Sequence, residues 1–409
     1  MKYRVLISAY ACEPGKGSEP GIGWNIALHM ARFHEIWVIT RTNNRTAIEN
    51  ELQNNPVKDL HFIYYDLPSW ARFWKKGAKG MRLYYYLWQF GAVKAIKKEQ
   101  DKFNFDLGHH VTFGKYWTPS LFIFLKIPFL WGPVGGGESV PLSFWQSLGI
   151  RGIIYEFGRS FFRKMSEFDP FVRLTARRAT ITLATSEETS NKLRKLGVQR
   201  VVVFSQVGLS LKEINALDIN KTVSTQVKFL SVGRLLAWKG FHLGIKAFAS
   251  SEFNNCVYWI IGDGPEKGHL KKLVKCFELT DKVHFFDWQP RSRVLELLAQ
   301  ANVLIHPSLH ESGGYVSAEA MAIGLPVICL DLGGPALQVT KDTGFKIIPI
   351  STKQTVQQLA KAMHSLEENI DLRNRMGNLG RKRIRKEFCW EQKAIMISKF
   401  YNDVHDSHR

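Results

Sequence analysis

Cysteine is scarce in this chain and is not paired. The five cysteines, at 12, 256, 276, 329 and 389, stand far apart, and none forms a C-x-x-C pair. That spacing argues against zinc ribbons and disulfide frameworks and fits a reducing compartment. Long apolar runs are also missing: no segment holds the roughly eighteen uninterrupted apolar residues that a membrane span needs. The opening, MKYRVLISAYACEP, has one short apolar run and no secretory cleavage pattern, so it reads as a first strand and the expected location is cytoplasmic. Acid is the third shortage. Against 56 Lys and Arg there are 36 Asp and Glu, a formal charge of +20. The excess base points to nucleic acid, anionic lipid or phosphorylated small molecules as partners. Zinc-finger spacing and RNP-type blocks are absent, which lowers the nucleic-acid reading. No short internal repeat is evident.

What is present suits a globular protein. At 45% hydrophobic and 22% charged residues, the 409-residue chain is too long for one core and suits two domains. Strand patterns at 3–9, 36–40, 60–66, 105–111, 129–131, 180–185 and 201–205 alternate with helical stretches. A second series follows at 228–232, 257–261, 283–286, 303–305, 326–330 and 345–348. Two βαβ series imply two mostly parallel, Rossmann-like sheets. Apolar periodicity fades between them. The expected division is an N-terminal domain at 1–205, a linker at 206–226, a second domain at 227–387 and a final helical stretch at 388–409.

The stretch from 306 to 331, HPSLHESGGYVSAEAMAIGLPVICLD, organises the second half. It reads as a strand end, a turn, a helix over 315–323 and another strand. Glu311 lies in the turn and Glu319 on the helix. Between them Gly313 and Gly314 let a backbone approach a ligand closely. A helix starting after a glycine pair offers unpaired N–H groups, at Tyr315 and Val316, which suit a phosphate.

Glutamate, seven residues and glutamate, embedded in HPSLHESGG…EAMAIGLPVI, resembles the signature of family 4 retaining glycosyltransferases of the bacterial group 1 type. These enzymes have the GT-B fold, two Rossmann-like domains facing a central cleft, and use a nucleotide-activated sugar. Other blocks are similar in the same order. GRLLAWKGF places Arg234 and Lys239 after a strand end, where two cations neutralise a leaving diphosphate. IIGDGPE brings Gly262, Asp263 and Gly264 to a turn that in the family borders the nucleotide. DWQP, after a later strand, is where the base is expected. ACEPGKGSEPGIGWN, with Gly21 and Gly23, resembles the family's donor-facing opening loop. The resemblance implies that Glu311 holds sugar hydroxyls, Glu319 ribose hydroxyls, and that Ser312, Gly313 and Gly314 border the donor. It also implies that the last helix crosses back to the first domain.

FDLGHHVTF ends a strand with His109 and His110, of which one alone can face a given side. His110 is the candidate for the catalytic group. Gly135–Gly137, after another strand end, reads as a mobile or acceptor-side loop. Asp-x-Asp is absent from the sequence, so transfer without a metal is expected and no metal ligands are assigned. Two blocks, at 70–103 and 150–165, mix Trp, Tyr and Phe with Lys and Arg. They suit a membrane interface, or else aromatics in the core beneath a solvated basic face. The expected reaction is transfer of a sugar to a hydroxyl acceptor, a lipid-linked saccharide of surface polysaccharide synthesis. A sugar-nucleotide epimerase on the same fold and a basic nucleic-acid-binding protein are the alternatives.

Overall fold

The computed structural model describes residues 1–75, 77, 80–100, 104–217 and 226–407, without the side chains of 98–100. Two compact units emerge. Unit 1 comprises Met1–Gly137, Phe161–Gln206 and Trp390–Arg409, and unit 2 comprises Glu138–Ser160 and Val207–Cys389.

Unit 1 is built on seven parallel strands: β1 (Arg4–Ser8), β2 (Glu35–Thr40), β3 (Leu60–Tyr64), β4 (Leu107–His110), β5 (Phe129–Val134), β6 (Ile181–Ala184) and β7 (Val201–Val203). Their order is β3-β2-β1-β4-β5-β6-β7. The chain moves outward from β1 on one side, then returns to β4 and moves outward on the other. The strand order therefore reverses between β1 and β4. β1 and β5 are mostly apolar runs rather than alternating ones, and every residue of β4 and β5 is buried, as expected of strands covered on both faces. The C-terminal helix Trp390–Asp406 packs here. Tyr401 shares a hydrogen bond with His109 Nδ1 at 2.7 Å, and Lys393 donates to the Ser205 carbonyl.

Unit 2 carries six parallel strands: β8 (Val227–Val232), β9 (Cys256–Ile261), β10 (Val283–Phe286), β11 (Val303–His306), β12 (Val327–Leu330) and β13 (Gly344–Ile347). The order β10-β9-β8-β11-β12-β13 reverses between β8 and β11. Alternate strand residues feed two cores, one on each face. Phe229, Ile305 and Ile328 enter one; Leu230, Leu304 and Val327 enter the other. Each such side chain contributes roughly 1.5–3 kcal/mol on burial. The helix Tyr315–Ile323 is buried at every position from Ser317 to Ile323, which explains its apolar composition all round.

The division differs from the sequence expectation in two places. Glu138–Ser160 groups with unit 2, because Val140, Phe144 and Leu148 insert into its first core. Leu211–Ala216, inside the expected linker, is a helix closed by a capping box between Ser210 and Glu213. Positions 218–225 of that linker, 76, 78–79 and 101–103 of the first aromatic block, and 408–409 of the final stretch lie outside the described residues.

Candidate functional site

In a parallel sheet all strands deliver their following loops to one edge, and ligands bind there where the strand order reverses. Unit 2 concentrates its candidate residues at that edge. Gly233 and Arg234 follow β8, Gly262–Gly264 follow β9, Trp288 and Gln289 follow β10, and Glu311–Gly314 follow β11. A cavity of about 630 Å³ opens between the first three of these loops, walled by Gly233, Arg234, Gly262, Asp263, Trp288 and Gln289. Gly262 has φ +140°, and a Cβ there would overlap the Gly233 carbonyl oxygen, so the β8 and β9 loops touch backbone to backbone. Asp263 is exposed and accepts from the Gly264 N–H at 2.8 Å. Trp288 offers a flat ring, 73% exposed, at the cavity wall.

Lys239 sits on a short 3-10 turn, Ala237–Lys239, and forms an ion pair with Glu311. The neighbouring Trp238 is held between rings, stacking on Tyr155 at 4.3 Å and His310 at 5.5 Å. Burial alone would raise the Glu311 carboxyl. The charge and hydrogen bond of Lys239, the His306 ring and the Gly313 N–H together overcome it and draw it down to about 2. Burial and Lys239 together lower His306 to about 4, so its ring is neutral near pH 7. His306 Nε2 is buried without a hydrogen-bond partner among the described residues.

The turn after Glu311 is fixed on several sides. Ser312 donates to Glu138 at 2.6 Å, the Gln338 amide donates to the Gly313 carbonyl at 2.8 Å, and the Gly334 N–H donates to the Glu311 carbonyl at 2.8 Å. Gly314, at φ +79°, is the residue before the helix Tyr315–Ile323. A Cβ on it would lie 2.8 Å from Pro335 Cγ. The turn thus aims the first-turn N–H groups, with the positive end of the helix dipole, toward the strand edge. One turn along the helix, Glu319 is 5% exposed and accepts from Arg291 Nε at 2.7 Å, while Arg291 also reaches Glu213 at 3.0 Å. Burial raises the Glu319 pKa, and Arg291 opposes that rise.

Arg291, His306 and Glu138 were not singled out by the sequence reading. Arg291 lies 28 residues from Glu319, and Glu138 lies 174 residues from Ser312. No local spacing signals such pairs. The helix Arg291–Gln300, which carries Arg291 at its start, follows Pro290 at the N-cap position.

Unit 1 has its own cavity, about 360 Å³, at the reversal between β1 and β4, with Tyr10, Ala11, Glu19, Arg41 and Phe113 on its walls. Arg41 is paired with Asp66 at 2.8 Å, and Glu19 accepts from the Phe113 N–H at 2.7 Å. Gly21 and Gly23 differ from expectation. They lie within the helix Ser18–Met30 rather than in an open loop. A Cβ at Gly21 would overlap the Lys16 carbonyl, and one at Gly23 the Ala11 carbonyl, so these glycines admit the protein's own loop against the helix. His110 also differs. Both His109 and His110 are fully buried, because β4 is a central strand covered on both faces. His110 is bonded to Tyr85 at 3.0 Å and Ser120 at 2.9 Å, and His109 to Tyr401 and the Gly132 carbonyl. Burial lowers His110 to about 4. Both rings are interior supports with their nitrogens engaged. Gly137 is packed too, its N–H donating to Thr189 at 3.0 Å.

Residues 214–383 match the family described as Glycosyl transferases group 1. The lipopolysaccharide core biosynthesis glycosyltransferase LpsE of Rhizobium meliloti (strain 1021) is 29% identical over 162 residues, 40% of this chain and 46% of that protein. The chain spans about half the length of the curated relatives it matches, 50%, 46% and 48% of the first three. Among solved structures, a sucrose-phosphate synthase from Thermosynechococcus elongatus superposes with a TM-score of 0.66 at 19% identity, covering 98% of this chain and 99% of that one. HepE of Anabaena, in complex with UDP, superposes with a TM-score of 0.64 at 17% identity, covering 98% and 100%. Likeness at such identity shows the fold, which is the GT-B pair of Rossmann-like domains. Residues 214–383 of this chain thus carry the pattern of the glycosyl transferases group 1 family, on that fold.

Proposed function

We propose that this protein is a glycosyltransferase that moves a sugar from a nucleotide diphosphate sugar to a hydroxyl acceptor, with retention and without a metal ion. The observation that carries the reading is the Lys239–Glu311 pair beside the glycine-led start of the helix Tyr315–Ile323, at the reversal point of the unit 2 sheet. The barrier to such transfer lies in parting an oxocarbenium-like sugar from a diphosphate that gathers negative charge. Arg234, Lys239 and the first-turn N–H groups near Tyr315 and Val316 supply positive potential for that charge. Glu311, held ionised, accepts from sugar hydroxyls, and Glu319, oriented by Arg291, accepts from ribose hydroxyls. Trp288 provides a stacking surface for the base. The family match to residues 214–383 and the UDP complex of HepE support this assignment. Absence of Asp-x-Asp supports the metal-free reading. Retention rests on the resemblance of the two-glutamate block.

For the acceptor, we favour a lipid-linked saccharide of surface polysaccharide synthesis, reached at the cytoplasmic face of a membrane. The name of LpsE and the exposed aromatic and basic side chains of unit 1 support that choice. No helix among the described residues is long and apolar enough to cross a membrane. The test is thermal unfolding against a panel of nucleotide diphosphate sugars. A bound donor at a hundred times its Kd stabilises by about 2.7 kcal/mol and raises the melting temperature. If no donor and no nucleoside diphosphate shifts the transition, the assignment fails.

A further inference from the structure

The helix Met81–Gln100 in unit 1 has one face inside and one outside. Tyr84, Tyr85, Trp88, Gln89, Ala92, Val93 and Ile96 are buried. Leu83, Leu87 and Phe90 are exposed, and so are Lys94 and Lys97. At 3.6 residues per turn, positions 83, 87, 90, 94 and 97 fall within one sector of about 80°. An apolar stripe therefore runs along the outer face and ends in two lysines. An ordinary solvated face would carry polar groups where Leu83, Leu87 and Phe90 stand.

A second exposed group in unit 1 joins this stripe. Phe161, Phe162, Met165 and Phe168 are each more than half exposed. Tyr86 connects the two: its hydroxyl donates to Asp169 at 2.9 Å, and its ring packs on Phe90 at 5.6 Å. Phe90 in turn meets Phe171 at 5.6 Å. A cavity of about 470 Å³ opens at this junction, lined by Tyr86, Phe162, Met165, Phe168 and Phe171. Exposed cations surround it. Lys164 lies between Phe162 and Met165, and Arg173 sits over the Phe168 ring at 5.2 Å. The neighbouring acids are already engaged, and one of them, Asp169, lines the cavity itself and accepts from Tyr86 there. Asp169 caps the helix Pro170–Arg178, and Glu167 accepts from Tyr116 at 2.9 Å. The surface is thus apolar at its centre and positive around it.

We propose that this face of unit 1 docks on a bilayer carrying anionic lipid, with Leu83, Leu87, Phe90, Phe162 and Phe168 entering the interface and Lys94, Lys97 and Lys164 meeting the headgroups. The proposal deepens the reading of a lipid-linked acceptor and rests on it for its purpose. An anionic bilayer fits because it offers both an apolar layer and a negative charge sheet, which match the centre and the surround of the patch. Each lysine near anionic headgroups is worth about fivefold in partitioning.

The experiment is flotation of the full chain with phosphatidylcholine vesicles, with and without phosphatidylglycerol, at low and high salt. Sedimentation without lipid and UDP-induced thermal shift are run on the same preparations. The expected result is binding to the anionic vesicles at low salt. Lys94→Glu with Lys97→Glu lowers it about tenfold or more, and Leu83→Ser with Phe90→Ser lowers it by a similar factor. Lys353→Glu, on an exposed position of unit 2, leaves binding unchanged. Absence of binding to anionic vesicles overturns the proposal, as does equal binding by both double variants. So does a dimer in solution that Phe90→Ser dissolves, since a second copy would then cover the face. Retained UDP shift without flotation overturns the surface and leaves glycosyl transfer standing; a lost UDP shift in the unaltered chain bears on the donor site instead.

Discussion

Replacing Lys239 by alanine tests the electrostatics of the site directly. The change removes the cation and leaves the Glu311 carboxylate partly buried, with the Gly313 N–H as a weak partner at 3.4 Å. In the intact protein that carboxyl falls from its ordinary 4.5 to about 2. Such a fall corresponds to about 3 kcal/mol at about 1.4 kcal/mol per pH unit. The two side chains keep 20% and 21% of their exposure, so water compensates in part. A loss of about 1–3 kcal/mol at pH 7 follows. In thermal unfolding that is roughly 2–4 °C per kcal/mol for a domain of this size. The pH dependence has a definite direction. A carboxyl depressed by folding stabilises the native state fully above about 4.5, and that stabilisation is lost as the pH falls toward about 2. The gap between wild type and Lys239→Ala is therefore widest near neutral pH and closes in acid. Adding Glu311→Gln to Lys239→Ala removes the stranded charge and restores most of the stability, while turnover stays about two to three orders of magnitude down. The assay is thermal unfolding of the two single variants and the double variant between pH 7 and pH 3, with turnover at pH 7. Equal stability of wild type and Lys239→Ala at pH 7 would refute the reasoning, as would single-variant losses that simply add in the double variant.

Three further outcomes are expected. Gly314→Val places a side chain at φ +79°, against Pro335, and destabilises by about 1–3 kcal/mol while weakening nucleoside diphosphate binding; unchanged melting and unchanged Kd would count against the role of the turn. Under the proposed function, Trp288→Ala removes the stacking ring and raises the Kd for the nucleoside diphosphate that the binding panel selects by an amount worth about 1–3 kcal/mol, measured by calorimetry, with little change in melting of the free protein because the ring is 73% exposed. Transfer persists in EDTA; complete loss restored by Mg²⁺ or Mn²⁺ would reverse the metal-free assignment.

Much of the fold could be read from local pattern. The two βαβ series are written as apolar runs bounded by turn residues, and the helix over 315–323 follows from a glycine pair and an unbroken run of helix formers. The loops carrying Arg234, Gly262–Gly264 and Glu311–Gly314 were legible because each follows a strand end directly. Spatial relations were not legible. A glycine-rich opening loop looks open to a ligand, yet Gly21 and Gly23 lie in a helix that begins at Ser18 and serve its packing against residues 11–16. Paired histidines at a strand end suggest one facing outward. β4 is covered on both sides, so both turn inward and bind Tyr85, Ser120, Tyr401 and Gly132. Arg291 and Glu138 acquire meaning through Glu319 and Ser312, partners that sequence distance hides.

The most direct measurement is release of nucleoside diphosphate from the donor that the binding panel selects, followed with wild type and Arg234→Ala. Arg234 stands at the cavity wall after β8, the position from which the proposed function has it meet the departing diphosphate. The account predicts release coupled to the appearance of a glycosylated acceptor. It also predicts that Arg234→Ala slows release by about two to three orders of magnitude with its fold intact. Isomerised donor without release, or a rate in Arg234→Ala equal to that of wild type, would contradict it.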